Sequence, residues 1–316
     1  MNFQYYKRHA LEKVVSGAIK SAQATKFIVA ISGGADSIAL LASLASARHT
    51  QLLAAHCNFH LRGEESIRDQ QFVEKICSDL GIRLLVHNFD VPEYQRQNPS
   101  TSLEMACRDL RYEWFRQLLS EYNYDRIATG HNADDNIETM LLNLLRGSGT
   151  TGLRAMLPDT GTVIRPLLTL HRNEIEAYLK TKGLDYIVDS SNLTSDFRRN
   201  FLRNDILPML RQRWHGLNKA LDRSIKLIKA ENEVVEKAVA DALPKDGTPL
   251  LSTTALSFPA PELLIRRYIH PLQPLTTTAE EIVAAMRAEK SDIRRWHLPG
   301  GTVTLRGQKL FLTQKN

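Results

Sequence analysis

The sequence predicts an α/β protein: a doubly wound parallel sheet followed by a smaller, mostly helical C-terminal domain. Three observations predict it. Short apolar runs alternate with amphipathic stretches of roughly 10–20 residues, the pattern of strands joined by crossover helices. The turn Ser32-Gly33-Gly34-Ala35-Asp36-Ser37 follows the first apolar run directly. Past the first two thirds of the chain, the alternation gives way to longer helical patterns and a basic composition. The 316 residues suit two domains of about 100–200 residues each, predicted at 1–213 and 214–316.

Taken in order, a helical pattern opens the chain and strands are expected at 26–31, 52–57, 82–86, 126–129 and 162–164. Helices are expected at 38–47, 64–80, 102–122, 133–145 and 172–182. In the second of these Ile67, Phe72, Val73 and Ile76 fall near helical spacing; in the third the stripe is Leu103, Ala106, Leu110, Trp114 and Leu118. Residues 92–100 read as a polar loop. A helix at 198–214 leaves the sheet body, a long helix follows at 218–243, then shorter ones near 261–270 and 278–288. Alternating runs over 294–313 predict a small β element.

Composition narrows the function classes. Hydrophobic residues at 43% and charged residues at 24% are globular values. The run Phe27-Ile28-Val29-Ala30-Ile31 is far short of the ~20 residues that span a bilayer. Met1 to Arg8 has no apolar core after its basic residues, so no signal peptide is read there. The expectation is a soluble, cytoplasmic protein with no membrane partner. Cys57, Cys77 and Cys107 form no CxxC pair and suggest neither a zinc site nor a disulfide framework. They read as small buried hydrophobes in a reducing compartment. The net charge of +6 lies entirely in residues 211–316, with 17 basic against 11 acidic residues, whereas residues 1–210 balance at 24 each. That asymmetry fits either a polyanionic partner or a solvated basic surface. No exposed apolar stripe predicts an oligomeric state.

The turn at 32–37 has the chemistry of a phosphate cradle. Its glycines permit close backbone approach, successive N–H groups form an anion nest, and the helix that follows presents its positive end. Ser32 and Ser37 add hydroxyls. Asp36 beside phosphate would repel it unless a magnesium ion lies between, since that ion joins phosphate oxygens to one or two carboxylates. The ATPase pattern GxxxxGK[ST] is absent, and the GxGxxG string at Gly147–Gly152 follows a predicted helix rather than a strand. A second constellation is His131, Asp135 and Glu138 at the start of the 133–145 helix, where spacings of four and three share a face. It could hold an amine or a metal. Asp134 also suits a helix N-terminus by complementing the dipole.

These segments resemble known families. Ser32 to Ser37 resembles the SGGxDS loop of the N-type ATP pyrophosphatases, which attack the α-phosphate of ATP and release pyrophosphate. Gly130 to Thr139 resembles the GHxxDDxxET signature of the tRNA(Ile)-lysidine synthetases. Leu61-Arg62 with Ser66 and Asp69, and Arg146-Gly147-Ser148-Gly149 with Gly152-Leu153, are similar to further segments of that family. So are Glu104, Arg108, Arg111 and Tyr112, although Cys107 stands where alanine is usual. Arg165-Pro166-Leu167, Asp189-Ser190-Ser191-Asn192, and Arg199-Asn200 with Arg203 and Pro208 complete the likeness, which is dense from 26 to 210 and thin beyond.

The resemblance implies ligation of L-lysine to the first anticodon cytidine of tRNA(Ile) bearing CAU, with ATP and Mg2+ as cofactors. It implies ATP at Ser32, Gly33, Gly34, Ala35, Asp36, Ser37 and Arg111, with magnesium on Asp36. It implies lysine at His131, Asp135 and Glu138, and tRNA at Arg199, Asn200 and Arg203. Asp36, His131, Asp135 and Glu138 are the implied catalytic set. Longer family members carry a further C-terminal domain that contacts the acceptor stem, so an end at Asn316 implies a short or shortened form. A tRNA thiolase, which needs paired cysteines or an iron–sulfur cluster, and a non-catalytic tRNA-binding relic are the alternatives.

Overall fold

The computed structural model describes residues 9–47, 49–188, 198–245, 247–275, 277–288 and 292–315. The chain forms α1 (Ala10–Ala22), β1 (Lys26–Ala30), α2 (Ala35–Ala45), β2 (Gln51–Asn58), α3 (Glu64–Asp79) and β3 (Leu84–Asn88). There follow α4 (Val91–Gln97), α5 (Leu103–Tyr122), β4 (Arg126–Ala128), α6 (Ala133–Leu145), α7 (Thr150–Leu153), β5 (Val163–Ile164) and α8 (Arg172–Lys182). Next, α9 (Arg198–Phe201) passes through a π-helical turn, Leu202–Ile206, into α10 (Leu207–Arg213), and α11 spans Leu217–Ala242. The last elements are β6 (Leu250–Leu251), α12 (Ser252–Ser257), α13 (Pro261–Ile269), α14 (Thr278–Arg287), β7 (Arg294–Leu298), β8 (Gly301–Arg306) and β9 (Lys309–Gln314). None of the helices, among the described residues, is long and apolar enough to cross a membrane.

The first five strands make one parallel sheet in the order β3-β2-β1-β4-β5. Phe27, Ile28 and Val29 of β1 are all fully buried because both faces of the sheet are covered. Alternation sends Phe27 and Val29 into the layer with α1, α2, α3 and α8, and Ile28 into the layer with Phe115 and Leu118 of α5. The strand order reverses between β1 and β4, and the carboxyl ends of those two strands open the crevice where such folds take ligands.

Two compact units, Met1–Ile228 and Lys229–Asn316, divide within α11 rather than before it. The second has its own core, including Leu264, Ile265, Ile282, Val303 and Leu310, and an antiparallel sheet ordered β6-β9-β8-β7.

Three local expectations change. Residues 92–100 are not a loop throughout: Asp90 caps Glu93 N–H at 2.9 Å and Pro92 sits in the first turn of α4, where its missing N–H costs nothing. The helix after β1 begins at Ala35 with Gly34 as its cap, so Asp36 and Ser37 belong to its first turn. β3 runs later than expected, over 84–88. The segment Asp189-Ser190-Ser191-Asn192 lies outside the described residues.

Candidate active site

The turn after β1 is strapped in place from two sides. Gly33 holds φ +90°, and a Cβ there would meet Ile187 Cδ1 at 2.6 Å. Ile187 N–H donates to the Gly33 carbonyl at 2.9 Å. From the other side, a Cβ on Gly130 would stand 3.0 Å from the Asp36 carbonyl carbon and 3.1 Å from Ser37 N. The backbone leaving β4 thus lies against the first turn of α2. Ser37 Oγ donates to the Gly34 carbonyl at 2.8 Å and lies 3.2 Å from Ser32 N. The first N–H groups of α2 have no intrahelical acceptor and face outward as an anion cradle.

Asp36 is held by side chains distant in sequence. Asn132 Nδ2 donates to its Oδ1 at 3.1 Å, and Arg172 to its Oδ2 at 2.7 Å. Burial raises its carboxyl above the usual carboxylate range; Arg172 opposes that and Asp135 adds to it. A partly buried carboxylate with a second one in Coulombic reach is a fitting place for a divalent cation that brings its own phosphate oxygens. Asn132 also caps α6: it accepts from Asp135 N–H at 3.0 Å while Asp135 Oδ2 accepts from Asn132 N–H at 3.1 Å. One residue therefore starts α6 and reaches the phosphate loop.

Asp135 and Glu138 project from α6 onto two arginines. Arg203 donates to both Glu138 oxygens at 2.7 and 2.8 Å and to Asp135 Oδ1 at 2.7 Å. Arg199 donates to Glu138 Oε2 at 2.8 Å and lies 3.5 Å from Asp135 Oδ1. Glu138 is 1% exposed, so these pairs are what keeps its charge tolerable there. Asn200 follows Arg199 on α9. Asp134 does more than complement its own helix. It accepts from Arg172 N–H at the start of α8 at 2.9 Å and from Arg211 on α10 at 2.5 Å, and lies 3.3 Å from His171.

His131 lies between β4 and α6, its Nδ1 2.8 Å from Thr129 Oγ1. Burial, then Arg165, Arg199, Arg108 and Arg111, push its imidazole down to about 3, so it is neutral. Arg111 on α5 stacks over Phe59, 5.4 Å from the ring centre. Asn132 and Arg172 are the site residues that sequence reasoning missed. Each carried a signal: Asn132 is a strong N-cap type before an apolar run, and Arg172 is a cation at a helix start, where the dipole disfavours it.

A parallel sheet with an anion cradle at its switch point defines a nucleotide-binding α/β class. The chain matches the PP-loop domain model over residues 7–210 and belongs to that family. Its curated relatives include tRNA(Ile)-lysidine synthases. That of Bacteroides thetaiotaomicron is 41% identical over 249 residues, covering 78% of this chain and 58% of the relative. That of Chlorobaculum tepidum is 45% identical over 200 residues, covering 62% and 60%. The chain thus spans less than two thirds of the length of these relatives. Among solved structures, the U34-tRNA thiolase NcsA of Methanococcus maripaludis aligns with a TM-score of 0.55 at 19% identity, over 69% of this chain and 78% of that one, a likeness of fold.

Proposed function

We propose that this chain ligates L-lysine to C2 of the first anticodon cytidine of a CAU-bearing tRNA(Ile), using ATP and Mg2+. The observation that carries the reading is the 3.1 Å contact between Asn132 and Asp36, which joins the phosphate loop to the helix bearing Asp135 and Glu138. The relatives' names supply tRNA(Ile) and the product lysidine. In the first step the cytidine O2 attacks the α-phosphorus, the bond to the bridging oxygen breaks, and pyrophosphate leaves. In the second, the lysine ammonium gives one proton to Asp135 or Glu138, the resulting ε-amine attacks C2, the C2–O bond breaks and AMP leaves, and the nitrogen releases a further proton to solvent and keeps one as C2–NH.

The first turn of α2 and Ser37 hold the phosphates by backbone and hydroxyl donors. Asp36 would hold magnesium, which offsets phosphate charge during the first step. Asp135 and Glu138 are the carboxylates for the lysine ammonium, which would share them with their present donors: Arg203 and Asn132 N–H on Asp135, Arg203 and Arg199 on Glu138. Neutral His131 is suited to orienting a phosphate or amine through a hydrogen bond. Sulfur transfer is disfavoured by the thiols themselves: burial pushes Cys57 up to about 12 and Cys77 to about 11, so neither is a thiolate near neutral pH.

The test is incubation with ATP, magnesium, labelled lysine and a CAU-anticodon isoleucine tRNA transcript. Label should enter the RNA, and replacing that cytidine should abolish incorporation. Binding without incorporation, or sulfur transfer in its place, would overturn the reading.

A further inference from the structure

The arginines of the first unit fall into two sets. Arg172, Arg199, Arg203 and Arg211 each face a carboxylate. Arg108, Arg116 and Arg165 form no ion pair among the described residues, yet all three line one pocket of ≈ 520 Å³ together with Tyr94, Tyr112, Asp109, Glu113 and Val163. Arg108 lies over the Tyr112 ring at 4.8 Å. Arg165 gives one N–H to the Leu157 carbonyl at 2.7 Å, and its Nε is buried with no partner. A buried donor on a charged group is costly to leave unsatisfied. Three guanidiniums against two carboxylates leave the lining net positive, and none of the three is in salt-bridge contact with a carboxylate among the described residues, so the pocket suits an anion brought by a ligand.

The lining says which anion. The pocket is built from α4, α5 and β5, on the face of the sheet opposite α2, so the phosphates cradled at the start of α2 are not its occupant. Asp109 and Glu113 in the wall disfavour a polyphosphate but accept hydroxyl or amino hydrogens, and the two tyrosines offer aromatic surface. A single negative charge flanked by sugar hydroxyls and bases matches that set. Thr129 N–H donates to the Ile164 carbonyl at 3.0 Å and Thr129 Oγ1 lies 2.8 Å from His131 Nδ1, so Arg165, one residue after Ile164, stands at the sheet edge that carries His131.

We propose that this pocket holds a backbone phosphodiester of the RNA substrate, next to the reacting base. The proposal rests on the function proposed above and adds the place where the strand is gripped. The probe is a labelled CAU-bearing isoleucine tRNA, titrated by fluorescence anisotropy without ATP at several salt concentrations. A fluorescent ATP analogue is titrated in parallel. Arg116 is exposed, so Arg116→Gln leaves the fold intact; Arg165→Gln is checked by its melting curve. Losing one phosphate contact should flatten the log–log salt slope by about 0.7, the single-strand value, and weaken binding about fourfold at 0.15 M salt. Arg116→Lys should restore most of that, and ATP affinity should not change.

Weaker ATP binding with unchanged tRNA binding would reassign the pocket to the nucleotide's phosphates. No change in either would make these arginines ordinary surface charge. If the wild type forms lysidine while Arg116→Gln and Arg165→Gln both bind tRNA normally, the pocket proposal fails and the function stands. If the wild type binds no tRNA, both fall.

Discussion

Two arginine-rich regions of the first unit differ in one respect, and the difference separates architecture from recognition. On α9 and the π turn, Arg199 and Arg203 are saturated by Asp135 and Glu138. On α5 and after β5, Arg108, Arg116 and Arg165 converge with no carboxylate partner among the described residues. The first set pins helices together around the site. The second holds charge in reserve for something that arrives. A residue type read along the chain does not tell these apart; the partner does.

The largest expected effect tests the paired set where it meets the phosphate loop. Asp36→Ala should lower pyrophosphate release by at least about 100-fold, the scale of losing one well-placed charged group at a transition state. Persistence of pyrophosphate release would reduce the Asp36–Arg172 pair to a structural strut. Next, Glu138→Ala takes the buried partner from two half-buried guanidiniums and should lower the unfolding free energy by on the order of 2 kcal/mol, read by urea titration. Adding Arg203→Ala should cost less than the sum of the two single changes, because they share one interaction. Additive losses would mean the pair does not behave as the distances suggest. Glu138→Ala should also impair lysine transfer more than pyrophosphate release; equal loss of both would show that the two steps are not divided as proposed.

A smaller effect is expected at Gly130→Ala, whose new methyl group would press on the Asp36 carbonyl and Ser37 N. Nucleotide affinity should drop severalfold, on the order of 1 kcal/mol, with little change in melting temperature. The smallest effect concerns His131. Its imidazole, pushed down to about 3 by burial and by Arg165, Arg199, Arg108 and Arg111, should show no NMR titration near 6.5. Arg165→Gln, which removes the largest of the charges acting on it, should move it upward. The sign for stability follows. The unfolded imidazole takes a proton near 6.5 and the folded one only near 3, so this contribution is full above 6.5 and is lost as pH falls between those values.

Much of the fold was legible because it is written locally. α6 and α8 run over the expected residues, 133–145 and 172–182, and the five sheet strands appear in the expected order, with only β3 displaced by two residues. Helix α4 was not legible, because Pro92 and a polar composition look like a loop until Asp90 is seen to cap it. The site divides the same way. Asp36, Asp135 and Glu138 stand out by motif. Their partners lie far along the chain, Arg172 being 136 residues from Asp36 and Arg203 65 from Glu138. No local pattern encodes which arginine meets which acid, and so the paired and unpaired sets separate only once the chain is folded.

The π turn at Leu202–Ile206 acts as a phase shifter. An α-helix advances about 100° per residue, and a wider turn delays that advance over the stretch it occupies. Arg199 and Arg203 therefore point at Asp135 and Glu138, while Arg211, farther along the same rod, is brought round to Asp134. Deleting one residue within 204–206, past Arg203, would restore ordinary helical winding and rotate everything beyond it. The cut would leave the first grip in place and break the second, so the spacing in this rod counts as much as the identity of its arginines.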